Sequence, residues 1–401
     1  SLDYRRSILK ELVERYKGRE HISIPWNGDM LRRIATPELS DDVSKYLVSA
    51  ETPEDLKLDF LMLVAHGRLS DCCSVALEML CDDKASKSIQ LYAATAIRDA
   101  GTPGIRRQAY EKLIKMANPS SRLIGCVVEA TFPGLISTDE LFQLLRKVPE
   151  IRRHSVDLPY VLHKHFEHAL TLDAAIPVLQ AAIQLLREPP LIERSSVSKR
   201  YAWVVELVPL CLHAILSSSS VPEAVVGVVV DAVGLLESRN LYGWWDKPLR
   251  GDIEDQLAAN LDRHAHVKRA IYWRRVERHR ERYSGNPAIH SLNGSGEIAN
   301  FSENDIGWMK NAVVAGLIPF SDRQLMLGHM LALAARNGSF WRFFRNDLPP
   351  IIGADLHQWL FVAKWKVNQE YWPIKWWFLR QKDNGIGDRY WWDTQQITAQ
   401  I

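Results

Sequence analysis

Apolar residues recur at three- and four-residue spacing along most of the chain. Leu56, Phe60, Leu63, Val64 and Gly67 fall on one face of a helix, and Leu141, Leu144 and Leu145 repeat the pattern. The apolar/polar alternation of a strand is nearly absent. Helix stops and starts punctuate the chain, roughly every 15 to 20 residues. Thr-Pro occurs at 36–37, 52–53 and 102–103, where threonine is expected to cap a first turn and proline has no N–H to leave unpaired. Thr52 with Asp55, Ser137 with Glu140 and Ser321 with Gln324 have the spacing of capping boxes, and Ser302 with Asp305 is a looser version. The pattern predicts roughly 15 to 18 helices of about 10 to 20 residues joined by short turns.

The stretch LYAATAIRDAGTPGIRRQAYEKLI, residues 91–114, shows how such helices must pack. Leu91, Ala94, Ala96 and Ile97 make a small, aliphatic face that lets another helix come close. Gly101 is expected to end the first helix in the left-handed conformation. Thr102-Pro103 restarts the chain, and Ile105, Ala109, Leu113 and Ile114 return the apolar face. One hairpin cannot bury both faces, so it must stack on its neighbours, about 53–82 on one side and 120–148 on the other. The expected fold is all-α, an α-solenoid of HEAT- or TPR-like hairpins with a Trp-rich helical cap at its C-terminal end. Residues 1–35 read as a lead-in helix and linker, 36–240 as the array, 241–340 as a second helical segment with a basic helix and a loop, and 341–401 as the cap. The polar, Pro-bearing 187–200 and the Gly/Ser/Asn-rich 284–300 read as breaks.

Composition narrows the function without naming it. The 401 residues are 47% hydrophobic and 24% charged, with a net charge of +2, so only local charge can point to nucleic acid. The five cysteines, Cys72, Cys73, Cys81, Cys126 and Cys211, form no CxxC pair, the usage of a reducing compartment such as the cytoplasm. VPEAVVGVVVDAVGLL (221–236) falls short of the ~18 uninterrupted apolar residues of a membrane span, because Glu223 and Asp231 break it. The first helix is charged and amphipathic, unlike a signal peptide. A chain that starts with Ser rather than Met is expected to be a segment of a longer protein.

No catalytic residue, cofactor site or metal site is predicted. GxxxxGK[ST], HExxH and GxSxG are absent. GSGEIA (294–299) matches GxGxxA by letters only, with no strand before it. His165 and His168 lie one helical turn apart, but a structural zinc site wants four ligands. The run 263–283 carries eight Lys/Arg against two Glu, with Tyr272, Trp273 and Tyr283 interleaved. Lys268, Arg269, Arg274, Arg275, Arg278 and Arg282 are its candidates for phosphate contact. Its plainer reading is an amphipathic helix. Ala270, Ile271, Trp273 and Val276 would face a core, the arginines would face solvent, and Glu277 would pair locally.

Eight of the 14 tryptophans lie between Trp341 and Trp392. Trp359, Trp365, Trp376, Trp377, Trp391 and Trp392, with Lys364, Lys375 and Arg380 among them, have the aromatic-plus-cation make-up of a partner-binding surface. Core anchoring is the commoner use of such tryptophans. If these are core, docking is to be sought on the concave face of residues 39–240. YGWWDKP (242–248) and RYWWDTQ (389–395) place Trp beside Asp, a pairing able to grip a cationic base.

Four segments, taken in order, carry a resemblance: LVERYKGREHISIPWNGDMLRRIATPEL, LYAATAIRDAGTPGIRRQAYEKLI, FPGLISTDELFQLL and ENDIGWMKNAVVAGLIPFSDRQLMLGHMLALA. Together they resemble the HEAT-like C-terminal arrays of large bacterial NACHT/STAND NTPases of the antiphage-defence type, over roughly residues 10–335. The resemblance implies a non-catalytic sensor or scaffold region that binds a macromolecular trigger, a phage protein, with the NTPase and effector domains upstream. It assigns no individual sensor residue. Two rivals remain: a nucleic-acid-binding HEAT-like protein that uses 263–283, and a HEAT-like DNA glycosylase.

Overall fold

The computed structural model describes residues 1–17, 26–149, 157–192, 197–237, 251–282 and 301–316, with scattered positions up to 347. Among the described residues there are 16 α-helices and no named strand; an isolated bridge joins Leu191 to Ser198. The chain forms two units. Residues 1–221 with 238–253 make the first, and 222–237 with 254–401 make the second.

The first unit is a two-layer array. Its helices are α1 (Leu2–Tyr16), α2 (Gly28–Ile34), α3 (Ser40–Val48), α4 (Glu54–Gly67), α5 (Cys73–Cys81) and α6 (Lys87–Ala100). They continue with α7 (Pro103–Leu113), α8 (Ser121–Thr131), α9 (Thr138–Leu145), α10 (Asp157–Ala169), α11 (Leu172–Leu186) and α12 (Leu207–Leu216). The even helices pack in sequence order, α2 on α4, α4 on α6, α6 on α8, α8 on α10 and α10 on α12. The odd helices make the other layer, α1 on α3, α3 on α5, α5 on α7 and α9 on α11. Each hairpin ties the layers together, as α5 with α6 and α11 with α12 do. The 187–200 segment, expected as a break, lies between α11 and α12, which pack directly on each other. The lead-in helices α1 and α2 are members of the same two layers.

The hairpin of residues 91–114 stacks as its pattern predicts. α6 touches α4 and α5 before it and α8 after it. Ala93, Ala94 and Ala96 are buried together with Ile89 and Ile97. Thr102 accepts the Ile105 N–H at 3.4 Å with Pro103 first in α7, and Ser137 with Glu140 forms the full capping box of α9. Two expectations of local geometry need correcting. Thr52 caps nothing, since Pro53 takes the cap position of α4 and the Thr52 hydroxyl is buried without a hydrogen-bond partner. Thr36 accepts none of the N–H groups of the turn it precedes. The Ser321–Gln324 pair lies outside the described residues.

Gly101 is also not left-handed. Its backbone is extended, at φ −68° and ψ 143°, and its N–H donates to Ile97 O at 2.8 Å. Left-handed residues close other helices: Arg68, at φ 54° after α4, and Gly316, at φ 67° just past Val314. Glycine is needed at 101 for space, because a Cβ there would lie 2.4 Å from the Ile97 carbonyl oxygen. Gly101→Ala is therefore expected to destabilise the array by about 1–3 kcal/mol, the cost of overpacking. Gly101→Pro also removes the N–H to Ile97 and should melt lower still. Thermal denaturation followed by circular dichroism tests both; an alanine variant as stable as the parent would refute the steric account.

Candidate partner-binding groove and the basic helix

The even layer carries a groove of about 540 Å³ that crosses four successive helices. α4 contributes Leu61, Met62, Ala65 and His66, and α6 contributes Leu91, Tyr92, Thr95, Arg98 and Asp99. Arg122 and Cys126 come from α8, and Tyr160 and Val161 from α10. The even helices pack side by side in sequence order, and this brings residues of four of them to a common surface. The groove falls within residues 39–240, where docking is to be sought if the Trp-rich tail is core. No pattern in the sequence singled out its residues, because each helix supplies only two to five of them.

Its charge is largely internal. Arg98 donates from Nε and Nη2 to Asp99 at 2.8 and 3.1 Å and from Nη1 to Glu129 at 2.6 Å. Hydrogen bonding to Asp99, then to Glu129, holds its guanidinium firmly charged, above its already high ordinary value. Lys164, one turn beyond Tyr160 on α10, rests its Nζ 4.9 Å from the centre of the half-exposed Tyr160 ring. Asp59 lies on the stripe of α4 that holds Met62 and His66. Burial, and then the neighbouring Asp55 carboxylate, push the Asp59 carboxyl up to about 6. Cys126 is within 3.8 Å of the Thr95 hydroxyl, and burial pushes its thiol up. That is the reverse of what an activated nucleophile needs.

His165 donates its Nε2–H to the Phe132 carbonyl oxygen, 2.8 Å away. Among the described residues no group of three or more His, Cys, Asp or Glu is arranged for a metal.

The basic run forms α15 (Ala265–Arg282) in the second unit, with α13 (Glu223–Leu236), α14 (Gly251–Arg263) and α16 (Ile306–Val314). α13 packs against α15. Ile271 and Val276 face the core as the amphipathic reading requires, and Arg274 pairs with Glu277 at 3.0 Å on the exposed side. The division of cations is not the expected one. Lys268 and Arg275 are each only 7% exposed. Lys268 Nζ bonds Asp262 at 2.7 Å and Asp305 at 2.9 Å, and Arg275 reaches Glu237 with both Nε and Nη2. Arg278 lies flat on α13 and donates to Gly234 O at 3.1 Å; a Cβ at Gly234 would sit 2.1 Å from its Nη2. Arg269 stacks 5.7 Å over the Trp308 ring. Two of the cations proposed for phosphate contact are thus buried in ion pairs, where they anchor α15. The Arg282 side chain lies outside the described residues.

Tyr272, read as a ring for stacking on a base, is fully buried instead. Phe301, Trp308 and Trp273 meet it edge-on at 5.1, 5.3 and 5.5 Å, and His329 stacks on it at 5.5 Å. Residues 348–401 lie outside the described residues. That span holds every candidate of the tail: Trp359, Trp365, Trp376, Trp377, Trp391, Trp392, Lys364, Lys375 and Arg380. YGWWDKP falls outside as well, and GSGEIA does so except for its last residue, Ala299. No helix among the described residues is long and apolar enough to cross a membrane. No known protein family, no curated protein and no solved structure matches the chain.

Two outcomes follow from these charges. The folded chain holds the Asp59 proton more tightly than the unfolded chain, so this group weakens the fold progressively as pH rises from about 4 to 6, and fully above that. Asp59→Asn should raise stability at pH 8 by about 1–2 kcal/mol, less than the ~3 kcal/mol of the full shift because the group keeps some water. At pH 4 it should change nothing, and equal gains at both values would refute the assignment. Arg275→Ala leaves Glu237 buried and uncompensated, and should cost about 3–5 kcal/mol in unit melting. Replacing both with leucine should recover most of that loss in the same melting experiment; no recovery would mean that the arginine stem, not its charge, holds α15.

Proposed function

We propose that this chain is the non-catalytic helical-repeat sensor or scaffold region of a bacterial STAND-type NTPase. In this reading it binds a macromolecular trigger, a phage protein, in the cytoplasm during antiviral defence. The observation that carries the binding role is the groove across α4, α6, α8 and α10. Several repeats contribute to one largely apolar surface, and one of its two arginines, Arg98, is already spent on Asp99 and Glu129. The four resembling segments, in family order, support the wider assignment. The trigger would favour the open state of the upstream NTPase, by no more than its difference in affinity for the two states.

The nucleic-acid alternative is weakened by Lys268 and Arg275, whose charges are consumed inside the second unit. It rests on the exposed Arg269 and Arg274. The glycosylase alternative has no residue among those described to support it.

The reading is tested in the natural full-length protein. Its gene should encode GxxxxGK[ST] upstream of the position of Ser1, and a cognate phage protein should bind the present chain and activate the parent NTPase. The chain alone should release no phosphate from ATP. Phosphate release that follows the chain through two columns, or a gene without the upstream motif, would overturn the proposal. Salt-sensitive DNA binding lost in the doubly reversed Arg269→Glu, Arg274→Glu variant would favour the alternative.

A further inference from the structure

Arg98 lines the groove with its guanidinium bonded along its edges, and the inference drawn from it rests on the scaffold reading above. Nε and Nη2 donate to the two carboxylate oxygens of Asp99, at 2.8 and 3.1 Å, and Nη1 donates to Glu129 at 2.6 Å. Every N–H of a guanidinium lies in its plane, so these bonds to carboxylates of two different helices fix that plane. The side chain is nevertheless 32% exposed. A planar cation held by its edges meets a ligand with its face.

Charge narrows what that ligand can be. Asp99 and Glu129 set two carboxylates against this one guanidinium, so an anion is not drawn to it. Arg122, the other arginine of the lining, brings the formal total of these four groups to zero, so a cation is not drawn in either. An aromatic ring meets both conditions. It carries no charge, and its electron-rich face complements a guanidinium laid flat upon it. Elsewhere the chain supplies such rings itself. Arg107 lies over Tyr110, Arg200 over Tyr201, Arg269 over Trp308 and Arg275 over Phe301, at 5.1, 5.1, 5.7 and 5.3 Å. Among the described residues no ring lies over Arg98. Met62 and Ala65 of α4 and Thr95 of α6 line the same groove, and a thioether such as that of Met62 makes favourable contacts with an aromatic ring.

We propose that the groove binds an aromatic side chain of a protein partner, tryptophan foremost, stacked on the face of the Arg98 guanidinium and packed against Met62. Asp99 and Glu129 are positioning residues that hold the guanidinium flat. Tryptophan is favoured because its face is the largest and the most strongly attracted to a cation.

The test titrates capped amino-acid amides into the full chain and follows them by saturation-transfer NMR. N-acetyl-tryptophan amide should bind best. N-acetyl-phenylalanine amide should bind about threefold or more tighter than its saturated analogue, N-acetyl-cyclohexylalanine amide, which has the bulk without the aromatic face. Arg98→Lys keeps the charge but lacks the plane and should abolish that preference. Its lost bridges are partly exposed, so the melting temperature should fall little. In a chain carrying 15N-arginine, the Arg98 Nε–H signal, assigned by its loss in Arg98→Lys, should move upfield as the tryptophan amide is added, because it comes to lie over the ring. Met62→Ala should weaken the tryptophan amide severalfold. Equal binding of the aromatic and saturated amides, tighter binding of the lysine or glutamate amide, or an Arg98 signal that does not move would overturn the proposal. If a phage trigger activates the full-length protein equally with and without Arg98→Lys, the ring site fails as the docking point while the sensor reading stands. If the aromatic amides bind as expected but no protein trigger binds the chain, the sensor reading fails and the ring site stands.

Discussion

Close approach of helices at α6 is the constraint on which the first unit depends. α6 touches α4, α5 and α8 at once, and the small buried Ala93, Ala94 and Ala96 beside Ile89 and Ile97 let those neighbours come close. Their methyl groups bury little area each. Their value lies in what they permit, since leucines of α4 such as Leu56, Leu61 and Leu63 then reach full burial. Because each helix contacts only its near neighbours, stability is assembled locally, repeat by repeat. The same close spacing brings α4, α6, α8 and α10 to a common surface and so creates the groove.

Charges inside the array are used mainly to join successive repeats. Arg98 of α6 reaches Glu129 of α8 in the even layer. In the odd layer Arg107 of α7 binds Glu140 of α9 and the Leu135 carbonyl at 3.0 Å. Glu140 also accepts the Ser137 N–H at 2.9 Å, and hydrogen bonds from Arg107 hold its carboxyl down to about 2. Such bridges are partly exposed and add little stability individually. In the second unit Lys268 and Arg275 play a more demanding part, because they are buried and their partners would be costly to leave unpaired.

These roles explain why the most basic stretch of the chain is not where a polyanion would best be held. Asp262, Asp305 and Glu237, up to 38 residues from their partners in sequence, neutralise two of its cations. In the proposed reading, recognition falls instead to the groove of the first unit, whose lining is largely apolar.

Helical class, hairpin stacking and the caps at Thr102 and Ser137 follow from the sequence alone, because periodicity and capping are local properties. So does the core role of Leu141, Leu144, Leu145, Ile271 and Val276, which their spacing already places on one face. The geometry at Gly101 does not follow, since glycine accepts either sign of φ and only the position of the Ile97 carbonyl decides. Thr52 looks like a cap until Pro53 takes the place beside α4. The burial of Lys268, Arg275 and Tyr272 was equally illegible, because charge and aromaticity along one helix say nothing of carboxylates and rings contributed by distant ones. The groove is the clearest case. Its residues come from four helices a hundred residues apart end to end, and only the packing of the even layer brings them to one surface.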